Sequence, residues 1–376
     1  MGIFSSALSG ALAASSEKKL RIPKKIFGGI DMRSNTLICG APAGGLSYDR
    51  AHRLMHHRFD RHVSRNENAV YITSDIDEAY ALYQYYGNEI TVYGHNRRFD
   101  PFEFCATYND ASFLLGAMTG DAHENAYLRS WTDIIVTLME MSGSPLTYGS
   151  FDSISDLLLT SADADDFAQQ VSGLGLTVSS SLRASLFRLW RDLCGYQQYI
   201  NKLSRQLEYL QEPAVQQNAR RQLVFYVPAA DSELVLSSVF AGLLLYCRRY
   251  TDRFSLMCDN IELKKEAADL IGRFRVPFFI YAPVLSSDNA CRNTLLAELF
   301  TFVCFSGVSA EDTARIISSF SSQANAWLPA LNPFGFGVHR GQLPTLTADS
   351  FLRLREGQAM IYDKNRRRFV QCANCI

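Results

Sequence analysis

The sequence lacks several features that would place a protein in a class at once. It has no run of about 18 apolar residues, so no segment is expected to cross a bilayer as a helix. Its net charge is only −1, which argues against a surface adapted throughout to nucleic acid. The hydrolase motif G-x-S-x-G and the metalloprotease motif H-E-x-x-H are also missing. What remains is an ordinary globular composition, whose function has to be sought in other motifs.

The composition predicts a folded cytoplasmic protein. With 376 residues, 47% of them hydrophobic and 20% charged, the chain can bury one large core or two smaller ones. Nine scattered cysteines without a cleavable secretory signal favour a reduced cytoplasmic compartment. In residues 1–30, apolar positions on one helical face precede a lysine-rich run. This pattern predicts either a peripheral helix, on the inner membrane or on a partner, or a frayed tail.

The most informative segment is a glycine-rich loop that departs from its pattern at one position. Gly40, Gly44, Gly45 and Ser47 fit the phosphate-binding loop G-x-x-x-x-G-K-[ST], but Leu46 replaces the lysine. In such a loop, backbone N–H groups bind the phosphates, the lysine offsets their charge and the final hydroxyl binds Mg²⁺. These five positions are therefore the predicted cofactor-binding residues for ATP, with Ser47 as a magnesium ligand.

The surrounding sequence supports this interpretation over a chance match. An apolar run over residues 35–39 predicts a buried strand, and residues 48–62 predict the helix that should follow the loop. Leucine carries no charge, and charge-assisted hydrogen bonds contribute roughly 1.5–3 kcal/mol each. Loss of two of them would weaken nucleotide binding by on the order of 10² to 10⁴, so ATP and Mg²⁺ are expected to bind weakly.

The remaining pattern predicts an α/β fold with a mostly parallel sheet, interrupted by an all-α insertion. The segments with strand character are residues 69–74, 89–94, 222–227, 254–259, 277–283 and 300–306, with a closing hairpin at 358–363 and 367–371. The segments with helical character are residues 77–87, 110–119, 124–141, 153–159, 164–172, 180–210, 233–250, 264–274 and 310–320.

Asp259 and Asn260 predict the second half of a nucleotide site. They end an apolar strand at the position where such a fold places the aspartate that holds Mg²⁺. Asn260 stands where motor enzymes have a glutamate that polarises water, and an amide cannot accept a proton at neutral pH. We therefore expect no working catalytic residue here, and Asp259 is either a vestigial metal ligand beside Ser47 or a cap for the next element.

Several segments together resemble the type IV coupling proteins of conjugation and secretion, the TraG and TraD kind, which are related to FtsK and HerA DNA translocases. The resemblance rests on the following segments, which occur in the family's order: NTLICGAPAGGLS, YITSD, ITVYG with DPF, LVFYVPAADSE, SLMCDN, FVCFSGVSAEDTARIISSF and FLRLREGQAMIYD. The resemblance implies a RecA-like P-loop NTPase domain formed by residues 31–104 and 221–376, with an all-α insertion over residues 105–220.

The sequence departs from the family pattern mainly at positions that bind or hydrolyse nucleotide in the family. Leu46 replaces the lysine, Asn260 replaces the glutamate, and the strand from Pro277 lacks the glutamine that senses the γ phosphate. No segment of the sequence is expected to correspond to the family's amino-terminal transmembrane pair, which puts membrane anchoring of the family's kind in doubt. The resemblance implies as partners other secretion or conjugation subunits, a relaxase or DNA, and a homo- or hetero-oligomeric ring in which Arg340 could act on a neighbour's site.

Three functions stay open at this point. The first is a degenerate, ATPase-inactive coupling-protein-like subunit that acts as an interaction or scaffold component. The second is an active ATP-driven DNA translocase in which another basic group replaces the lysine. The third is a structural protein of a phage or mobile element with the same fold.

One helix also carries a candidate metal pattern. His52, His56 and Asp60 recur every four residues and would stack on one helical face, where they could bind a divalent metal. A solvated helix face is the favoured interpretation of this spacing.

Overall fold

The computed structural model describes the following parts of the chain: residues 35–40, 46–93, 100–119, 125–160, 164–173, 222–227, 232–250, 254–261, 263, 265–282, 289–325, 348–355, 358–363 and 368–372.

Nine strands in these ranges form one sheet. Most are continuous apolar runs, and every residue of β1, β2, β3, β5, β6 and β7 is buried, as expected for a sheet covered on both faces. The strands are β1 (Thr36–Cys39), β2 (Ala69–Thr73), β3 (Thr91–Tyr93), β4 (Gln222–Tyr226), β5 (Ser255–Asp259), β6 (Phe278–Ala282), β7 (Thr301–Phe305), β8 (Ala359–Asp363) and β9 (Arg368–Cys372).

The strand order is β3-β4-β2-β5-β6-β1-β7-β8-β9. The six strands from β4 to β7 pair in parallel, so their carboxyl ends meet at one edge of the sheet. Strands β8 and β9 continue from β7 as an antiparallel hairpin. Strand β6 lies between β1 and β5, which places the ends of β1, β5 and β2 along a single edge.

The chain divides into two compact units, of which the first contains residues 1–92, 220–226 and 252–376. It holds the strands, and its helices connect them as the parallel pairing requires. These helices are α1 (Leu46–Ser64), α2 (Ile76–Tyr86), α8 (Lys265–Phe274), α9 (Asn289–Glu298), α10 (Ala310–Asn325) and α11 (Ala348–Leu352).

The second unit contains residues 93–219 and 227–251 and is helical throughout its described part, apart from the end of β3. Its helices are α3 (Tyr108–Thr119), α4 (Asn125–Ser142), α5 (Tyr148–Leu159), α6 (Ala164–Gly173) and α7 (Ser232–Arg249). Within this unit Gly242 of α7 approaches Phe104 so closely that an added Cβ would lie 2.4 Å from the ring. Arg249 also pairs with Asp110 at 3.0 Å.

Asn35 fixes the amino-terminal edge of the sheet around β1. Its side-chain Nδ2 donates to the carbonyl of Glu298 at 2.9 Å, and its Oδ1 accepts from the backbone N–H of Phe278 at 3.2 Å. Its own carbonyl accepts from the N–H groups of Phe300 and Thr301. One residue therefore connects β1 to the starts of both neighbouring strands.

Most elements predicted from the sequence are present within a few residues of their predicted limits. The structure adds α9 and the short α11, which the sequence did not predict, and extends α5 back to Tyr148 and α10 to Asn325. The predicted helix over residues 180–210 and the amino-terminal segment of residues 1–30 lie outside the described residues. The predicted domain limits stay a prediction.

Candidate functional site

The glycine-rich loop leaves the sheet at its carboxyl edge. Gly40 follows the last residue of β1, and α1 begins at Leu46, so the predicted order of strand, loop and helix is present. Gly40 is buried, and a Cβ added to it would lie 2.8 Å from the Cβ of Phe305 on β7. Close packing of β1 against β7 therefore requires glycine at position 40, independently of any phosphate.

The other predicted cofactor-binding residues are only partly described. Leu46 and Ser47 belong to the first turn of α1, but their side chains, together with Gly44 and Gly45, lie outside what the structure describes. Arg340 lies outside it as well. The roles predicted for these residues stay predictions.

Asp259 ends β5 at the same edge and is fully buried. Its Oδ2 accepts a hydrogen bond from Thr73 Oγ1 at 2.9 Å, and its Oδ1 lies 2.7 Å from Nε2 of His52. The second contact is an ion pair when His52 is protonated. Both carboxylate oxygens are thus in contact with side chains of the protein.

Asn260 turns the chain directly after Asp259. Its backbone is in the left-handed region, with φ of 54°, which asparagine tolerates better than most residues. Its N–H donates to the carbonyl of Tyr281, and its side-chain amide donates to Ser74 Oγ at 3.3 Å. Asn260 therefore connects the ends of three neighbouring strands, β5, β6 and β2.

A second carboxylate, Glu78, faces this region from α2. Asp75 caps that helix by accepting the N–H of Asp77 at 2.9 Å, which places Glu78 in the first turn and turned into the protein. Glu78 Oε1 accepts from Tyr71 Oη at 2.9 Å and is in direct contact with Nε2 of His56. Its Oε2 lies 3.7 Å from Nδ1 of His52.

Charges on these side chains stabilise one another. Burial opposes a charged imidazole at His52, but the Asp259 carboxylate, followed by Glu78 and Asp75, outweighs it and raises the pKa of His52 to about 9. Burial would likewise raise the pKa of Glu78, but the neighbouring His56 and His52 rings and the Tyr71 hydroxyl lower it to about 2. The cluster is held by internal pairing rather than by solvent.

The favoured interpretation of the α1 histidine spacing is wrong for His52. This side chain is buried and His56 is half-buried, because the face of α1 that carries them packs on β2 and β5 rather than facing solvent. Asp60, one turn further on, is exposed and accepts a hydrogen bond from Tyr86 Oη. Sequence reasoning missed Glu78, Tyr71 and Thr73, since their partners lie on other elements.

No helix among the described residues combines the length and apolar character needed to cross a membrane.

Comparison with known proteins identifies the fold. No protein-family model and no curated protein sequence matches the chain. Among solved structures, an unbound form of the bacterial conjugative coupling protein TrwB matches over 91% of this chain and 84% of its own, with a TM-score of 0.57 and 12% identity. VirB4 of Thermoanaerobacter pseudethanolicus matches over 91% of both chains, with a TM-score of 0.51 and 10% identity. The predicted fold class is confirmed: the chain has the RecA-like α/β fold of TrwB and VirB4.

Proposed function

We propose that this chain is a coupling-protein-like subunit of a type IV secretion or conjugative DNA-transfer system, and that it acts as a scaffold or interaction component without hydrolysing ATP. The link to secretion is supported by the fold shared with TrwB and VirB4, over nearly the whole of all three chains. The order of the motifs along the sequence points to the same family. The loss of hydrolysis is inferred from the site.

The enclosed carboxylate of Asp259 carries the inference. In a working P-loop enzyme the corresponding aspartate must reach Mg²⁺ directly or through water. Here Asp259 is fully buried, with Thr73 on one oxygen and the His52 ring at 2.7 Å from the other. A magnesium ion would have to displace His52, whose positive charge already neutralises the carboxylate.

Two further features point the same way. Leu46 provides no charge for the β and γ phosphates, so leucine in place of lysine lowers the affinity for a triphosphate. Asn260 cannot act as a general base, and its left-handed backbone and its bond to Ser74 adapt it to a structural turn. Asp259 and Asn260 thus serve charge pairing and a structural turn in this chain, and Leu46 adds no charge of its own.

The partners that fit this proposal are other subunits of the same machine. Substrate contacts could involve a relaxase or DNA, and assembly could place the chain in a homo- or hetero-oligomeric ring. Nucleotide, where it binds, would do so weakly and without a firmly held Mg²⁺.

The proposal is tested by calorimetric titration of ATP, with and without Mg²⁺, into the full chain and two variants. We expect only weak binding by the natural protein, near the lower limit of what calorimetry measures. Leu46→Lys should gain affinity by on the order of 10² to 10⁴ with little dependence on Mg²⁺, because Asp259 stays enclosed. In Leu46→Lys combined with His52→Ala, binding should become Mg²⁺-dependent.

The matched control is His57→Lys, which adds the same charge to an exposed position of the same helix and should leave binding unchanged. Thermal unfolding of each variant checks that it is folded. Tight Mg²⁺-dependent binding by the natural chain, or DNA-stimulated hydrolysis that Asp259→Ala abolishes, would overturn the proposal and favour an active translocase. If the chain captures neither a relaxase nor a coupling protein from a conjugating host, the mobile-element structural protein becomes the better interpretation.

A further inference from the structure

Three potential metal ligands converge between α1, α2 and the end of β2. One ring nitrogen each of His52 and His56 and a carboxylate oxygen of Glu78 all lie within 4.8 Å of one another. The histidines are four residues apart on α1, which places both rings on one face of the helix, and Glu78 faces them from the first turn of α2. Two imidazoles and one carboxylate form a ligand set that zinc uses with three protein ligands and an open position.

The groups around these three side chains are those expected of a metal site. A metal-bound histidine usually presents its second ring nitrogen to a carboxylate, which fixes the orientation of the ring. Nε2 of His52 lies 2.7 Å from Asp259, which leaves Nδ1 on the side of Glu78, 3.7 Å from its Oε2. Tyr71 orients the Glu78 carboxylate, and Thr73 orients Asp259.

Charge and unused bonding capacity at the site favour a divalent cation. Glu78 and Asp259 are both buried, Glu78 beside both histidine rings and Asp259 beside His52. When both imidazoles are neutral, as ligands must be, one divalent ion balances the two carboxylates. Oε2 of Glu78 accepts no hydrogen bond from the described residues, although a buried carboxylate oxygen normally does. His56 is 16% exposed at its side chain and provides the route of entry.

We propose that His52, His56 and Glu78 bind a first-row transition-metal ion of the Zn²⁺ class, with Asp259 as the positioning partner of His52. Imidazole nitrogens select such ions over Mg²⁺ and Ca²⁺, which prefer an all-oxygen shell. The site differs from the magnesium position predicted for Ser47 and Asp259, because here Asp259 holds a ligand and does not itself bind the metal. The proposal does not rest on the proposed function, since it needs no nucleotide and no secretion partner.

Metal binding to the full chain tests the proposal after treatment with a chelator and in the absence of nucleotide. Calorimetric titration with Zn²⁺ should give one site per chain, and Co²⁺ should give the visible absorption of a four-coordinate complex with nitrogen and oxygen ligands. Addition of Mg²⁺ in large excess should not displace either ion.

His56→Gln and Glu78→Gln should each weaken Zn²⁺ binding at least about 100-fold. The matched control is His57→Gln, an exposed histidine next to His56 on the same helix, which should bind as the natural chain does. His56 is the least buried of the three ligands, so its variant is the one expected to keep the native fold, which circular dichroism verifies. No binding by the natural chain, or equal loss in His57→Gln, would overturn the proposal and leave the cluster as a set of ion pairs.

Discussion

The two ends of the carboxyl edge differ in what their side chains do. At β1 and β7 the described residues are apolar and closely packed, with Gly40 against Phe305, and the position of the phosphate-binding lysine is Leu46. At β2 and β5 the same edge encloses His52, Glu78 and Asp259. A nucleotide site needs charge at both ends. In this chain Leu46 provides no charge at the loop, and the described charged side chains of this edge lie at β2 and β5, where they can neutralise one another.

The largest expected effect on stability comes from removing a buried charge at the β2 and β5 end of the edge. Asp259→Asn, measured in the presence of a chelator, should lower the free energy of unfolding by roughly 3–5 kcal/mol, because it leaves the buried His52 ring without its closest counter-charge. Urea denaturation of the purified protein measures this loss. Asp269→Asn, at an exposed position of α8, is the control and should change stability by less than about 0.5 kcal/mol. Equal stability of the two variants would mean that the Asp259 pairing contributes nothing.

The pH dependence of stability tests the charge pairing of His52 at the same end of the edge, near β2 and β5. The pKa of His52 is raised from 6.5 to about 9 by Asp259, Glu78 and Asp75 against the effect of burial, so its charged form stabilises the folded state. This stabilisation is fully present below pH 6.5 and is lost as pH rises through about 9. In metal-free protein, the free energy of unfolding should therefore fall by on the order of 2 kcal/mol over that range. His52→Gln should lack this fall, whereas His57→Gln should retain it; an identical slope in all three proteins would contradict the assignment.

The apolar end should respond to size rather than to charge. Gly40→Ala should destabilise the protein by about 1–3 kcal/mol, because the new methyl group would lie 2.8 Å from Phe305 and must displace it. Gly149→Ala is the matched control, since a Cβ there has nothing within 4 Å and alanine favours the helix. A stable Gly40→Ala protein would show that the loop, not the packing of β1 on β7, determines glycine at this position.

Much of the fold could be predicted from the sequence because its strands are short apolar runs bounded by polar residues. β1, β2 and β5 are wholly buried, and such segments stand out without knowledge of their neighbours. Helix α9 could not be found in the same way. Only Cys291, Leu295 and Leu296 are buried in it, and two of these are adjacent, which gives too weak a helical period.

The site was predictable only along single elements. Asp259 could be identified because it ends an apolar strand, and the histidines because they repeat along one helix. Their actual partners lie elsewhere: Glu78 contacts His56 across 22 positions of sequence, and Thr73 bonds Asp259 across 186. Spacing grouped Asp60 with the two histidines on one helical face, whereas packing of α1 against the sheet brings Glu78 to them instead.

The hydrogen bonds of Asn35 hold β1 in the sheet independently of the loop and of the charged cluster. Asn35 fastens β1 to β6 and β7 at the amino-terminal edge, opposite to the loop and the charged cluster. The register of β1 with β6 and β7 is therefore fixed by hydrogen bonds at the amino-terminal edge, and this does not require a bound nucleotide. Substitutions at the loop or at the charged cluster therefore leave these Asn35 hydrogen bonds in place. The residues that would bind a ligand can change singly, because the position of β1 in the sheet does not depend on them.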